Sequence, residues 1–374
     1  MKVPPGPKGL PIIGNLEAFE EDRLGFILKC RRDYGDIVRY NSKSYIIYHP
    51  DDLEQVFSRT NKEFVIGFDV FQRGIDQDHT NAFMLYRQAI TKGFRKSLIN
   101  AFLPNIEMIV RNVASYWNQS PYINVLHEME KITGSAIAMY SFGRDGKYIP
   151  KLATELLDAL IKIIGNPILL PKWIPTITSF RINRAKTQLF NEIRRIVEDR
   201  LNTDRNEGDL ISSLLNEGLL NDEAENDRVL QALSATILAA HRVPASAISW
   251  TIYLLSKNAE VERLVREEVS SIKSNFDLDV LAQCINLECV VKESLRLYPP
   301  TWLMDRQVNE DCEIGGYSIS KGQEILFSPY AVHRDSRFYQ EPEVFQPNRW
   351  VSQNFENKRP KYSYIPFGGG QESV

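Results

Sequence analysis

The sequence predicts a mainly α fold with a small β-rich lobe, in one domain spanning residues 1–374. Three observations predict it. Long stretches between residues 82 and 297 carry the apolar period of helices. Short apolar runs bounded by glycine and proline gather near residues 36–48 and again beyond Pro300. No internal repeat, low-complexity tract or disordered linker divides the chain.

Taken in order, residues 22–33 and 51–58 read as helices, with a strand pair near 36–48 between them. Helical periodicity follows over 82–117, 125–141, 178–201 and 209–216. The segment 150–175 mixes apolar residues with Pro167, Pro171 and Pro175, as an access lid would. Helices are predicted at about 224–256, 259–273 and 283–297, and beyond Pro300 the pattern turns to short strands and loops. In the longest helix Val229, Leu230, Leu233, Ile237, Leu238, Val243, Ile248, Trp250, Ile252 and Leu254 point in nearly all directions. A helix apolar all round is a buried one. Pro244 removes a backbone donor and clashes with the carbonyl of Ala240, so this helix is predicted to open or kink at 240–244.

Hydrophobic residues at 43% and charged residues at 25% are globular values. A net charge of -3 provides no basic field for nucleic acid. Cys30, Cys284, Cys289 and Cys312 show no metal-type spacing and read as buried thiols in a reducing compartment. No run reaches the eighteen-odd apolar residues of a membrane span, and the start has no apolar signal stretch. Only Met1-Lys2-Val3 precedes the first proline, so the expectation is a soluble, cytoplasmic protein.

Several motifs then occur in one order. They are Pro4-Pro5-Gly6-Pro7, Glu293-Ser294-Leu295-Arg296 followed by Pro299-Pro300, and Ile314-Gly315-Gly316-Tyr317. After these come His333-Arg334-Asp335, Phe345-Gln346-Pro347-Asn348-Arg349-Trp350 and Phe367-Gly368-Gly369-Gly370. A lone Glu-x-x-Arg is an ordinary helical ion pair. The whole series, over residues 4–370, resembles the cytochromes P-450, the haem-thiolate monooxygenases.

The resemblance implies an oxidoreductase with haem b as cofactor and a small apolar organic substrate. Arg87, four residues after Phe83, and Arg306 match positions that bind haem propionates, and arginine's fork suits carboxylates. Glu293, Arg296 and Arg349 match a buried charge triad that locks the meander under the haem. Phe367, Gly368 and Gly370 open the haem-ligand loop, whose glycines let backbone pass close under a flat cofactor. At the basic and cysteine positions of that loop stand Glu372 and Val374, so the expectation is a chain cut or shifted out of frame before its iron ligand and the helix after it, or one whose cysteine lay one residue later in an unusual loop. Hence no metal ligand is assigned, and the chain as written is expected not to work as a haem-thiolate enzyme.

A second departure lies in the long helix. Relatives carry Ala-Gly-x-acid-Thr, which passes protons to iron-bound dioxygen. Here Ala239-Ala240-His241-Arg242-Val243 fills that register, so the acid is Arg242 and the threonine Val243. Neither can relay a proton. Ser246 lies one turn on, too far to substitute unless the helix bulges, and His241 reads as a packed residue. An arginine here resembles haem-thiolate peroxygenases, where the cation binds a substrate carboxylate; isomerases and dehydratases of the family also lack the threonine. Three functions follow: a monooxygenase, a peroxygenase, isomerase or dehydratase, and an inactive remnant with weak or no haem binding. The expected pocket walls are Val65, Ile66, Phe68, Val70 and Phe71 in a loop, Ala239 and Ala240, and Trp302-Leu303-Met304. Lys92, Arg95 and Lys96 form either a patch for an acidic redox partner, ferredoxin or flavoprotein, or a solvated face.

Overall fold

The computed structural model describes residues 3–10, 14–60, 62–66, 90–91, 93–164, 176–203, 205–217, 220, 223–272, 277–351, 355 and 358–369. Its contacts divide into two compact units. One comprises residues 1–70, 253–269 and 284–374; the other comprises 71–252 and 270–283.

The first unit holds the sheet. Strands β1 (Ile37–Arg39), β2 (Ser44–Ile47), β3 (Phe64–Ile66), β4 (Met304–Val308) and β7 (Glu324–Phe327) line up in the order β1-β2-β7-β4-β3. Sequence-distant segments thus share one sheet, with β2 and β7 parallel and the other pairs antiparallel. Strands β5 (Cys312–Ile314) and β6 (Tyr317–Ile319) form a separate hairpin, turned by Gly315 and Gly316 at φ of 56° and 80°. Helices α1 (Leu16–Glu21), α2 (Arg23–Tyr34) and α3 (Pro50–Ser58) precede and separate the first strands. Asp22 caps α2 by accepting from the Gly25 amide. Phe57 of α3 packs with Phe64, Val308, Ile325 and Phe327 in the sheet's core.

The second unit is helical: α4 (Lys96–Ala114), α5 (Val125–Phe142), α6 (Ile149–Ile164), α7 (Ile177–Thr203), α8 (Leu210–Asn216) and most of α9 (Glu223–Lys257). Asn124 caps α5, and Gly143 at φ 57° ends it. Phe142, Leu156, Leu189, Ile193, Val229, Leu233 and Ile237 meet in one buried cluster. Helices α10 (Ala259–Ser270), α11 (Leu278–Leu281), α12 (Ile285–Leu297) and α13 (Pro329–Val332) complete the described set.

Four expectations need correction. Residues 150–164 are helical, because Leu152, Leu156, Ala159 and Leu160 recur at helical spacing; the prolines that suggested a lid lie outside the described residues. Val65 and Ile66 sit on strand β3, paired with Gln307 and Arg306, and not in a loop. The long helix is not buried all round: Val243, Ile248, Trp250 and Ile252 are 36–39% exposed. Finally, α9 stays one helix through Pro244 and does not open there. Proline removes only one backbone bond, and neighbouring side chains hold the segment. Thr133 Oγ1 on α5 donates to the His241 carbonyl at 2.6 Å.

Candidate active site

Glu293 and Arg296 lie one turn apart on α12 and are both 0% exposed. Their bidentate pair spans 2.9 and 2.8 Å. Burying such a pair is costly unless its remaining lone pairs and protons are satisfied. Here they are. Glu293 also accepts from Arg349 Nε at 3.1 Å, from Trp350 Nε1 at 2.8 Å and from the Gln346 amide at 2.9 Å. Arg296 donates onward to the carbonyls of His333, Pro342 and Val344. The three residues that the resemblance singled out converge. Trp350 joins them as a ligand of the carboxylate, a role that its place in a Pro-x-Arg-Trp run did not disclose.

The glycine loop begins beside this cluster. His333 links the two: its ring stands 3.2 Å from the Arg296 carbonyl and accepts from the Ile365 amide at 2.8 Å. Gly368 has φ of 84° and donates to the Ile365 carbonyl at 3.1 Å. A Cβ on Gly368 would lie 3.2 Å from Met304 Sδ, and one on Gly369 would lie 2.5 Å from the Phe57 ring. Both positions therefore require glycine. Phe367 is 69% exposed. Arg306, on the interior strand β4, is buried with its guanidinium 5.9 Å from the Phe57 ring and 5.6 Å from Phe327. Phe57 thus adjoins both the glycine loop and a buried arginine. This pairing fits a flat anionic cofactor, with Arg306 for a carboxylate and the glycines for close approach. The thiols fit less well. Burial pushes Cys30 up to about 12 and raises Cys284 and Cys312, so these hold their protons. Phe83, Arg87, Gly370, Glu372 and Val374 lie outside the described residues.

On α9, two faces differ. His241 and Ala245 share the buried face, at 1% and 0% exposure. Ala239 and Val243, also four apart, share an exposed one. His241 packs on Gly134 of α5, where a Cβ would lie 2.4 Å from its Cε1. Its Nε2 stands 3.2 Å from Thr154 Oγ1, and burial lowers its pKa. It is a packed histidine. Arg242 is held by two carboxylates of its own unit: Nε donates to Glu130 at 2.5 Å and Nη2 to Asp158 at 2.7 Å. The position expected to carry an acid therefore carries a cation matched by acids on α5 and α6.

The cytochrome P450 family model matches residues 4–373. The chain belongs to the cytochrome P450 family. Cytochrome P450 4V2 of Rattus norvegicus is 37% identical over 166 residues, which cover 43% of this chain and 31% of that protein. The chain thus spans about a third of the length of these first relatives. Longer matches are more distant. Cytochrome P450 26A1 of Danio rerio is 25% identical over 98% of this chain and 80% of that protein. Cyclooctatin synthase of Streptomyces melanosporofaciens is 26% identical over 97% and 83%. In structure, the chain is similar to retinoic acid bound cyanobacterial CYP120A1, with a TM-score of 0.84 over 99% of this chain and 87% of that one, at 22% identity.

Within this P450 chain the other expected site residues are scattered in character. Val65 is half-buried on β3, and Met304 lies against Gly368. Trp302 stacks on Phe19 at 6.3 Å and, with Leu303, packs into an aromatic cluster with Phe26 and Tyr40. Ala240 packs on the helical core. Phe68, Val70 and Phe71 lie outside the described residues. Of the basic patch, Arg95 is exposed, Lys96 pairs with Asp279 at 2.5 Å, and Lys92 is not described. No described helix is long and apolar enough to cross a membrane.

Proposed function

We propose that the chain is the catalytic body of a haem-dependent oxidoreductase of the P450 type, acting on an apolar organic substrate. The complete buried cluster of Glu293, Arg296, Arg349 and Trp350, tied through His333 to the glycine loop, carries this reading. Such a network is costly to bury unless every member is satisfied, as these members are. Haem b, if bound, would supply the redox chemistry. Arg306 would pair with a propionate, and Gly368 and Gly369 would let the backbone lie against the ring. Val243, at the family's alcohol position, has no hydroxyl with which to relay a proton. The retinoic acid bound to the structural neighbour supports an apolar ligand. Four free thiols suit a reducing cytoplasm, and exposed Arg95 suits an acidic redox partner.

Val243 favours a second reading, in which a peroxide or a pre-oxygenated substrate makes the proton relay unnecessary, as in a peroxygenase, isomerase or dehydratase. The carboxylate-binding form of that reading is weakened, because Glu130 and Asp158 already occupy Arg242. The test is haem titration of the chain completed with a cysteine ligand loop, then product analysis with reductase and dioxygen against peroxide alone. Stoichiometric haem with reductase-driven product supports the first reading. Product with peroxide only supports the second. Failure to hold haem overturns both and leaves a non-catalytic protein.

A further inference from the structure

We infer that His333 is a positioning residue, a neutral imidazole that sets the glycine loop against the Glu293–Arg296 cluster through one hydrogen bond to the Ile365 amide. The geometry dictates the ring's chemistry. A backbone N–H can only donate, so Nε2, 2.8 Å from the Ile365 nitrogen, must carry its lone pair. The proton of a neutral ring then sits on Nδ1, which faces the Arg296 carbonyl at 3.2 Å. Arg296 answers in kind, since its Nη1 donates to the His333 carbonyl at 2.9 Å. Each residue's side chain thus holds the other's backbone. The ring is 0% exposed and lies 5.2 Å from that of Tyr364. An imidazolium would set a second N–H against the Ile365 N–H in a fully buried site.

The bond stands at a decisive place in the chain. Tyr339 Oη donates to the Ser363 carbonyl at 3.0 Å, and Tyr364 Oη to the Lys292 carbonyl at 3.1 Å. Ile365 to His333 is the third tie in three residues. The next backbone bond, Gly368 to the Ile365 carbonyl, turns back on Ile365 itself. Gly368 and Gly369 therefore take their place from Ile365, and Ile365 takes its place from His333. That this loop receives a haem rests on the function proposed above; the bond and its tautomer do not.

The test uses the 15N-labelled chain. Long-range ring correlations should show Nδ1 protonated and Nε2 bare, with no titration near neutral pH. Amide exchange of Ile365 through Gly369 is then compared in His333→Asn and His333→Gln. Asparagine can place its amide nitrogen where Nδ1 stood but offers Ile365 no acceptor. Glutamine is long enough to place its oxygen where Nε2 stood. The Asn variant should speed exchange across residues 365–369 about tenfold or more, beyond any global change, and the Gln variant should restore much of the protection. Unchanged Ile365 exchange in the Asn variant would overturn the proposal. So would a ring protonated on Nε2, a readout that needs no variant to fold. Haem titration of the same proteins separates the two ideas: protected amides with no haem bound would sink the loop's function and leave His333's role standing.

Discussion

Among the described residues, the charged clusters around Glu293 and around Arg242 are built on opposite plans. Around Glu293 the carboxylate is central, fully buried, and met by two arginines, an indole and a backbone amide. Around Arg242 the cation is central, and its side chain is 21% exposed. One partner, Glu130, is buried at 9%, and the other, Asp158, is open at 56%. The first cluster is complete and closed, so removing a member strands charge in a dry interior. The second has access to water, so its members can be rehydrated. The same chemistry should therefore cost very different amounts in the two places.

The largest effect is expected from Glu293→Gln. The amide keeps the shape and removes the charge that balances Arg296 and Arg349, whose side chains are 0% and 6% exposed. Breaking a buried pair in this way costs about 3–5 kcal/mol. Urea unfolding monitored by tryptophan fluorescence would measure it. A loss below about 1 kcal/mol would erase the contrast, since that is the scale of an exposed pair.

Arg242→Asp should cost less, roughly 2 kcal/mol, because only Glu130 is left in a buried setting. The new carboxylate would face Glu130 and Asp158, so Glu130→Lys in the same chain should recover at least half of the loss. A double-mutant cycle measures that coupling, and a coupling near zero would mean that the pair is not formed in solution. The cycle also bears on chemistry. Restoring an acid at residue 242 without reversing Glu130 places three carboxylates together, so the single variant would test repulsion as much as proton delivery.

The contrast also explains what could be read from the sequence. Glu293, Arg296 and Arg349 stand in motifs that match the family in order, so the resemblance disclosed them where spacing alone would have given an ordinary helical ion pair. Arg242 meets Glu130 and Asp158 across 112 and 84 residues. Nothing in the amphipathic patterns of α5 and α6 marks those two acids, so the arginine looked like a site for an external carboxylate. The helix over 150–164 was obscured by the prolines that follow it. The long helix was misread because composition reports apolarity and not which face is covered. His333 was visible only as a letter in a motif, since its partner Ile365 lies 32 residues on and bonds through its backbone.

Two buried histidines carry the comparison into pH. Burial, then the Arg296 cation, with Arg334 and Arg359 adding to it, lowers His333 from 6.5 to about 3. Below pH 6.5 the unfolded chain takes a proton that the folded chain refuses. Stability should therefore be full above that value and fall as the pH drops toward 3, by up to about 1.4 kcal/mol per unit. Carboxylates add their own acid dependence, so the measurement is the difference between the parent and His333→Gln. That difference should shrink steadily from pH 6.5 to 4. A constant difference would mean that the ring takes its proton as readily in the folded chain as in the unfolded one. His241, lowered by burial but partly offset by the Glu130 carboxylate, should contribute more weakly, which His241→Gln measures over the same range.

The smallest effect is expected on the exposed face of α9. Val243 is 36% exposed, so Val243→Thr deletes little buried apolar surface. The helix is continuous here, yet residue 244 is proline and offers the Ala240 carbonyl no N–H. A threonine hydroxyl in a helix can reach the carbonyl three residues back. At residue 243 that acceptor is Ala240, the carbonyl that proline leaves without its helical donor. The substitution should therefore change stability by no more than about 0.5 kcal/mol in either direction, as surface changes away from special features do. Urea midpoints at constant m-value would test it. A loss above about 1 kcal/mol would mean that Val243 is packed and that α9 has no open face at this turn. A neutral result would mean that the alcohol of the family pattern is absent here for reasons other than the fold's tolerance for it.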